Sequence, residues 1–314
     1  DLVVVVGDVN SSIAATLASV RFGIPVAHVE AGLRSRNWQM PEEINRVMTD
    51  HLSSLLFTTE SAATENIRSE GLDMSKVHFT GNVMIDTMNQ FEAMAEKSDV
   101  LERLNLTPYN YVLSTLHRPE NVDNPQRFME IFGALCEVHS FIPVIVPLHP
   151  RTQEATHKIG VVWNETFSPR AVPPQSYLDF FKLQRYARFI ISDSGGIQEE
   201  ASVIGVPCLT VRTETERPVT VEYGTSEVVG VSREKIVDAA KRAMRGEWKR
   251  RKAVIPMWDG NAAERTMKII VETLESGKLI PPHALAHYAT TPLSRETATE
   301  KIDIMKILER EKTF

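Results

Sequence analysis

The chain has 314 residues, room for about two domains at roughly 150 residues each. Hydrophobic residues make up 42% and charged residues 24%, the balance of a globular protein rather than a disordered or fibrous one. A net charge of −6 without a long basic run argues against nucleic acid as a partner, and no apolar run approaches the ~20 residues of a membrane span.

Residues 2–6 (LVVVV) read as a buried strand. Asn10 or Ser11 suits the cap of a helix that runs to about Phe22 and closes at Gly23. Residues 25–29 form the next strand, so the chain opens on a β-α-β unit and predicts a parallel sheet. Apolar runs at 55–59 and 77–80 add two strands, and a helix follows near 84–96. Residues 98–110 mix polar groups with a proline, which places a domain boundary there. The second half repeats the grammar. Strands are predicted at 111–115, 143–147, 189–192 and 206–212, with a weaker one near Val161. Helical patterns near 125–139, 176–187, 196–204 and 233–245 separate them. Residues 262–276 form a strong helix that is placed to cross back to the first half, and an amphipathic stretch spans 297–312. The first half shows four strands where a doubly wound domain usually has about five or six, which predicts further strands upstream of residue 1. Cys136 and Cys208 lie in apolar segments and read as buried thiols of a reducing cytosol.

Open α/β sheets bind ligands beyond the carboxyl ends of their strands. Asp8, Glu30, His117 with Arg118, His149, Ser194 and Arg212 all fall at such ends, which suggests one shared cleft. Any single one could be a solvated loop residue, and Asp8 could simply cap the helix after it. The strand at 189–192 runs into Asp193-Ser194-Gly195-Gly196 and then directly into a helix. Free backbone N–H groups at that helix start, with two glycines allowing close approach, make a cradle for phosphate. Glu199 and Glu200, one turn on, suit a neutral part of the same ligand such as sugar hydroxyls. By itself the turn leaves a kinase-like site, a transferase and an epimerase open. Glu30 and Glu42 flank one loop near Asp8, and crowded carboxylates raise one another's pKa toward the range of general acid–base work. Glu43 reads as an ordinary first-turn helix charge after Pro41, and His28 as a packed strand residue. The histidines and carboxylates lack metal-site spacing, Asp-Ser-Gly-Gly is not a nucleophile elbow around Ser194, and no G-x-G-x-x-G follows the opening strand.

Five segments occur in one order: HVEAGLRS at 28–35, PEEINR at 41–46, HRPEN at 117–121, DSGGIQEEA at 193–201 and TERP at 215–218. Together they resemble the non-hydrolysing UDP-N-acetylglucosamine 2-epimerases, over about residues 1–277. The resemblance implies an α/β protein of two Rossmann-like domains facing across a cleft, related to B-type glycosyltransferases. The corresponding divisions are 1–104 for a first domain lacking its first strands, 105–276 for the nucleotide-binding domain, and 277–314 for a tail placed to pack on the first. It further implies a cytoplasmic homodimer serving cell-surface polysaccharide biosynthesis. That enzyme interconverts UDP-N-acetylglucosamine and UDP-N-acetylmannosamine with no cofactor and no metal. Asp8, Glu30 and Glu42 would be its acid–base carboxylates, with His117 near the reacting sugar and diphosphate. Ser194 and Gly195 would cradle the diphosphate, and Gly196 would shape the turn. Glu200 would accept from ribose hydroxyls, and Arg212, Glu216 and Arg217 would line the same nucleotide wall with His149. Pro173, Pro174 and Tyr177 would border the uracil. The family's opening Gly-Thr-Arg-Pro-Glu turn does not occur here, which puts the activity of this chain by itself in question. TERP is followed by Val219 where Glu is frequent, a departure that bears on substrate detail. The alternatives are a 2-epimerase of a UDP-diacetamido uronic acid sugar, a hydrolysing epimerase, a glycosyltransferase of the same fold, and a non-catalytic UDP-sugar binder.

Overall fold

The computed structural model describes residues 2–164, 166–248, 254–277 and 279. The amphipathic stretch expected at 297–312 lies outside the described residues.

The first half alternates β1 (Val3–Val6), α1 (Asn10–Arg21), β2 (Val26–Ala31), α2 (Pro41–Leu52), β3 (Leu55–Thr58), α3 (Ser61–Ser69), β4 (Val77–Phe79) and α4 (Val83–Ala95). Its strands pair in the order β1-β2-β3-β4, all parallel. The opening run was expected to be buried, but β1 is the outer strand, and Val4 and Val6 are about half exposed. Helix α1 begins without a side-chain cap: Val9 holds the cap position, so neither Asn10, Ser11 nor Asp8 does that work. Glu30 interrupts β2. Val29 pairs with Phe57 and Ala31 with Thr58, so Glu30 is an extra residue in the ladder. The bulge moves Ala31 to the face it shares with Leu56 and Ile67, while Ala27 and Val29 face the other core with Leu55 and Phe57.

The second half runs α5 (Val100–Arg103), β5 (Val112–Thr115), α6 (Pro119–Val122), α7 (Pro125–His139), β6 (Val144–Pro147), α8 (Pro150–Ile159), β7 (Arg170–Val172), α9 (Tyr177–Arg185), β8 (Phe189–Ser192) and α10 (Gly195–Ile204). It continues with β9 (Cys208–Thr210), α11 (Pro218–Glu222), β10 (Ser226–Val228), α12 (Arg233–Met244) and α13 (Ala262–Glu275). The six strands are parallel in the order β10-β9-β8-β5-β6-β7. Alternate strand residues feed two cores. Val112, Val144, Phe189 and Leu209 pack on α7 and α12, while Leu113, Ile145, Ile190 and Cys208 face α5, α9 and α10. The weak strand expected near Val161 is a loop after α8, and the edge strand forms instead at Arg170–Val172. Gly160, left-handed at φ 75°, ends α8 there. Of the two cysteines, Cys208 is buried as expected, but Cys136 is only partly so.

Packing refines the division of the chain. Val100, Leu101 and Leu104 belong to the core of the second sheet, so that body begins ahead of residue 105. Helix α13 packs on the first sheet through Ile270, which joins Ala27, Val29, Leu55 and Phe57. Asp86 of α4 caps α13 by accepting from Ala262 N at 3.1 Å and Ala263 N at 2.6 Å. The two sheets thus form separate Rossmann-like bodies, tied by a returning helix.

Candidate active site

The second sheet reverses its winding between β5 and β8: successive strands add outward from β5 through β6 and β7, and from β8 through β9 and β10. Such a switch point opens a crevice at the carboxyl ends, because the two connecting segments leave on opposite sides. His117 follows β5 and Ser194 follows β8 at that crevice. Ser194 is the cap residue of α10 and makes no side-chain cap bond, so the first N–H groups of the helix have no internal competitor. They carry the positive end of the helix dipole, which favours an anion.

Gly196 was expected to shape the turn, yet neither it nor Gly195 has a positive φ; both are ordinary helical residues. What Gly195 provides is room. A Cβ there would stand 2.8 Å from Arg217 Nη1 and 2.9 Å from Glu216 Oε1. Gly196 faces Met84, with a Cβ 3.3 Å from its Cε. Gly195 therefore lets a buried guanidinium lie against the helix start.

Arg217 is the hub. Its Nε lies 2.8 Å from Glu199 Oε1, Nη1 donates to Glu216 Oε1 at 2.8 Å, and Nη2 donates to Glu30 Oε1 at 2.7 Å. Glu199 and Glu216 come from the second body and fix two sides of the fork, so the third side is presented across the cleft. Glu216 also accepts from Arg212 Nη1 at 2.6 Å and Arg118 Nη2 at 3.2 Å. Burial opposes its charge, but Arg217, Arg212 and Arg118 hold its carboxyl well below the usual range. Glu199 shows the opposite balance. Burial pushes it up to about 8 against the pull of Arg217.

On the first body, Glu30 adopts φ 72°, a left-handed conformation that costs a non-glycine residue about 1–3 kcal/mol. The bulge and the strain together turn its side chain out of the ladder toward Arg217. Gly7, also left-handed at φ 68°, lies beneath it, and a Cβ there would come within 3.4 Å of Glu30 Oε2. Burial raises the Glu30 pKa, Arg217 pulls it back, and the nearby charge of Asp8 raises it again. Asp8 accepts a hydrogen bond from Arg46 Nη2 and is partly exposed. Glu42 is half-buried at the start of α2.

Its neighbour Glu43, expected to be an ordinary first-turn helix charge, does sit in that turn but is buried. It accepts from Ser35 N at 2.9 Å, Ser35 Oγ at 3.0 Å, Arg36 N at 2.8 Å and Arg46 Nη1 at 2.9 Å. The reason is the path of the 32–40 loop, which folds back onto α2 and needs an acceptor for its turn. His28 is packed as expected, and also hydrogen-bonded, to Asp50 Oδ1 at 2.6 Å and Gly7 O at 3.1 Å. Asp50 further accepts from Gly32 N at 3.0 Å and pairs with Arg34 at 2.7 Å. The loop bearing the first-body carboxylates is thereby anchored at both ends.

On the second body, His117 Nδ1 lies 3.1 Å from Asp193 Oδ1, and its ring sits 5.6 Å from that of His149. Burial lowers the His149 pKa, aided by His117 and Arg151. His149 also caps α8, accepting from Arg151 N at 3.2 Å. Glu200 is buried and accepts from Gln184 Nε2 at 2.5 Å; burial raises its pKa against that hydrogen bond. Tyr177 stacks on Phe181 with centroids 6.2 Å apart, its hydroxyl pushed up to about 12 by burial and by Glu200. Pro173 and Pro174 are exposed just before it.

Direct contacts link Glu30, Arg217, Glu216, Arg212 and Arg118 in one chain across the two bodies, with Asp8 electrostatically coupled to Glu30. His117 attaches through Asp193, one residue before the cradle. Sequence reasoning missed Arg46, Asp193 and Glu60. Arg46 had a usable signal, since it follows Glu43 by three residues on one helix face. Glu60 had none, because only the domain packing brings it near Arg217. Both its oxygens are buried, and burial pushes it up to about 7 against the pull of Arg217 and of the Val219 backbone amide. Among the described residues no three His, Cys, Asp or Glu side chains converge to hold a metal ion, and no helix is long and apolar enough to cross a membrane.

Comparison with known proteins supplies the family. The sequence profile described as UDP-N-acetylglucosamine 2-epimerase matches residues 1–271. The UDP-N-acetylglucosamine 2-epimerase of Methanocaldococcus jannaschii is 38% identical over 277 residues, covering 86% of this chain and 75% of that protein. The UDP-2,3-diacetamido-2,3-dideoxy-D-glucuronate 2-epimerase of Pseudomonas aeruginosa is 38% identical over 245 residues, covering 77% and 67% of the two chains. The crystal structure of the M. jannaschii enzyme in complex with UDP-GlcNAc and UDP superimposes with a TM-score of 0.79, covering 87% of this chain and 76% of that one. That of the Neisseria meningitidis enzyme bound to UDP-GlcNAc, 32% identical, gives 0.75 and covers 88% and 76%. The paired Rossmann-like bodies are those of the B-type glycosyltransferase architecture, and the chain belongs to the UDP-N-acetylglucosamine 2-epimerase family.

Proposed function

We propose that this protein interconverts UDP-N-acetylglucosamine and UDP-N-acetylmannosamine by eliminating UDP across C1–C2 of the sugar and adding it back. The C2 proton is weakly acidic, so its removal needs a carboxylate of raised pKa and a departing group whose charge is held. One of Asp8, Glu30 and Glu42 takes the C2 proton. The C–H pair becomes the C1=C2 double bond, and the C1–O bond breaks with its pair going to UDP. The product is a 2-acetamidoglucal. UDP then returns to C1, and a carboxylate on the opposite face returns a proton to C2, which inverts that centre. His117 attends the diphosphate, which rests on the helix start at Ser194, Gly195 and Gly196. Glu200 accepts from the ribose, Pro174 and Tyr177 border the uracil, and Arg212, Glu216 and His149 complete the wall.

The observation that carries this reading is Arg217. One guanidinium lies against the cradle at Gly195 and touches Glu30 at 2.7 Å, so charge leaving with the diphosphate and charge neutralised at the base meet at one group. The relative from P. aeruginosa supports a second reading, a UDP-diacetamido uronic acid sugar on the same machinery. Incubating each nucleotide sugar in deuterium oxide and reading C2 by NMR tests both. Deuterium at C2 with an epimerised nucleotide sugar is expected for the true substrate. Absence of exchange with both overturns the epimerase, and release of free sugar alone points to a hydrolysing enzyme. The same reading includes a cytoplasmic homodimer serving cell-surface polysaccharide biosynthesis, and light scattering after size exclusion checks its dimeric part.

A further inference from the structure

Asp193 is fully buried, and it stands one residue before the diphosphate cradle. A negative charge there opposes anion binding, so its retention calls for another role. Its contacts all go one way. Asp193 accepts from His117 N at 3.1 Å and 3.2 Å, from Arg118 N at 3.0 Å and from Asn121 Nδ2 at 3.1 Å, and its Oδ1 lies 3.1 Å from His117 Nδ1. Asn121 Nδ2 also reaches Val211 O at 3.0 Å, which ties this turn to the far side of β8. The carboxylate therefore gathers the whole 117–121 turn across the switch point between β5 and β8.

We propose that Asp193 is a positioning residue that keeps a proton on His117 Nδ1 and turns Nε2 toward the substrate, where it carries the proton that faces the diphosphate. Beside a carboxylate oxygen, Nδ1 must donate, so the ring gains or loses its second proton at Nε2. Burial would raise the Asp193 pKa, but His117, Asn121 and the Arg118 amide hold it below the ordinary aspartate value, so it stays an acceptor. The inference rests on the reading of His117 as the group at the departing diphosphate.

Asp193→Asn makes a sharp test. Oδ2 receives Arg118 N and Asn121 Nδ2, so an amide would place its oxygen there and its NH2 toward His117 Nδ1. That arrangement forces the tautomer protonated on Nε2 alone. In the 15N-histidine-labelled, UDP-bound enzyme, with His117 assigned by its loss in His117→Gln, Nδ1 protonation is expected in the unaltered protein and protonation on Nε2 alone in Asp193→Asn. The variant's kcat should fall by about 10²–10⁴-fold, while UDP affinity and KM stay within about threefold. A neutral His117 protonated on Nε2 in the unaltered enzyme overturns the proposal, and this reading stands even where the variant does not fold. An unchanged tautomer in the variant, a kcat within about threefold, or a UDP affinity that falls in step with kcat also overturns it. If the unaltered enzyme fails to exchange C2 while the tautomers behave as expected, it is the epimerase reading that fails.

Discussion

At the scale of single residues, the site divides its carboxylates by environment. Glu216 sits among arginines and stays charged, whereas Glu30 and Glu200 are pushed upward by burial. Such separation is what acid–base chemistry near neutral pH requires. Asp8→Asn keeps an acceptor for Arg46 but cannot exchange a proton. Its kcat should fall by about 10²–10⁴-fold, with UDP affinity by calorimetry nearly unchanged. Retained turnover removes Asp8 from the chemistry. Glu200→Ala should weaken UDP binding by about 1–3 kcal/mol if the carboxylate accepts from ribose hydroxyls, and unchanged affinity leaves it as no more than a partner of Gln184. The strained Glu30 was legible only as a carboxylate in a loop, because φ and bulge depend on how β2 pairs with β3.

At the scale of elements, most strands and helices declare themselves through apolar runs and periodicity. The exceptions have local causes. Residues 170–172 and 226–228 are three-residue outer strands, too short to show a pattern of their own, and they form because a neighbouring strand offers its edge. Helix α8 escaped notice because its first turn is polar and its buried residues, Thr152, Ala155 and Thr156, are small. Helix α13 depends on a cap supplied from 176 residues away, Asp86. Asp86→Ala should lower stability to urea by about 0.5–2 kcal/mol, and an unchanged midpoint shows that Ala262 and Ala263 find another acceptor.

At the scale of the whole molecule, the two bodies meet at buried charge. Arg217 is surrounded by Glu30, Glu199 and Glu216, and the buried Glu60 lies close enough to feel it. The Glu60 pKa is raised from 4.5 to about 7, so between those values the native state holds a proton that the unfolded chain has released. Its contribution to stability is complete at the acid end of that window and is lost as pH rises through 7. Glu60→Gln removes this dependence. Relative to the unaltered protein, the variant should gain stability between pH 5 and pH 8, by on the order of 3 kcal/mol at most, read from urea midpoints. Parallel curves across that window assign the titration elsewhere.

The amino-acid sequence by itself determined the alternation of strands and helices, the parallel sheets, and the turn at Asp193 to Gly196 that opens a helix. Each of these follows from local periodicity or from which backbone groups a turn leaves free. It also placed Asp8, Glu30, His117 and Arg212 at strand ends, since those positions are read one strand at a time. Only the tertiary structure decided which of them meet. Arg217 reaches Glu30 across 187 residues, Asp193 orients His117 across 76, and Glu43, an ordinary first-turn charge by pattern, anchors a loop. Those outcomes depend on strand order and on how one body lies against the other, and long-range electrostatics between buried groups leaves no trace in local pattern.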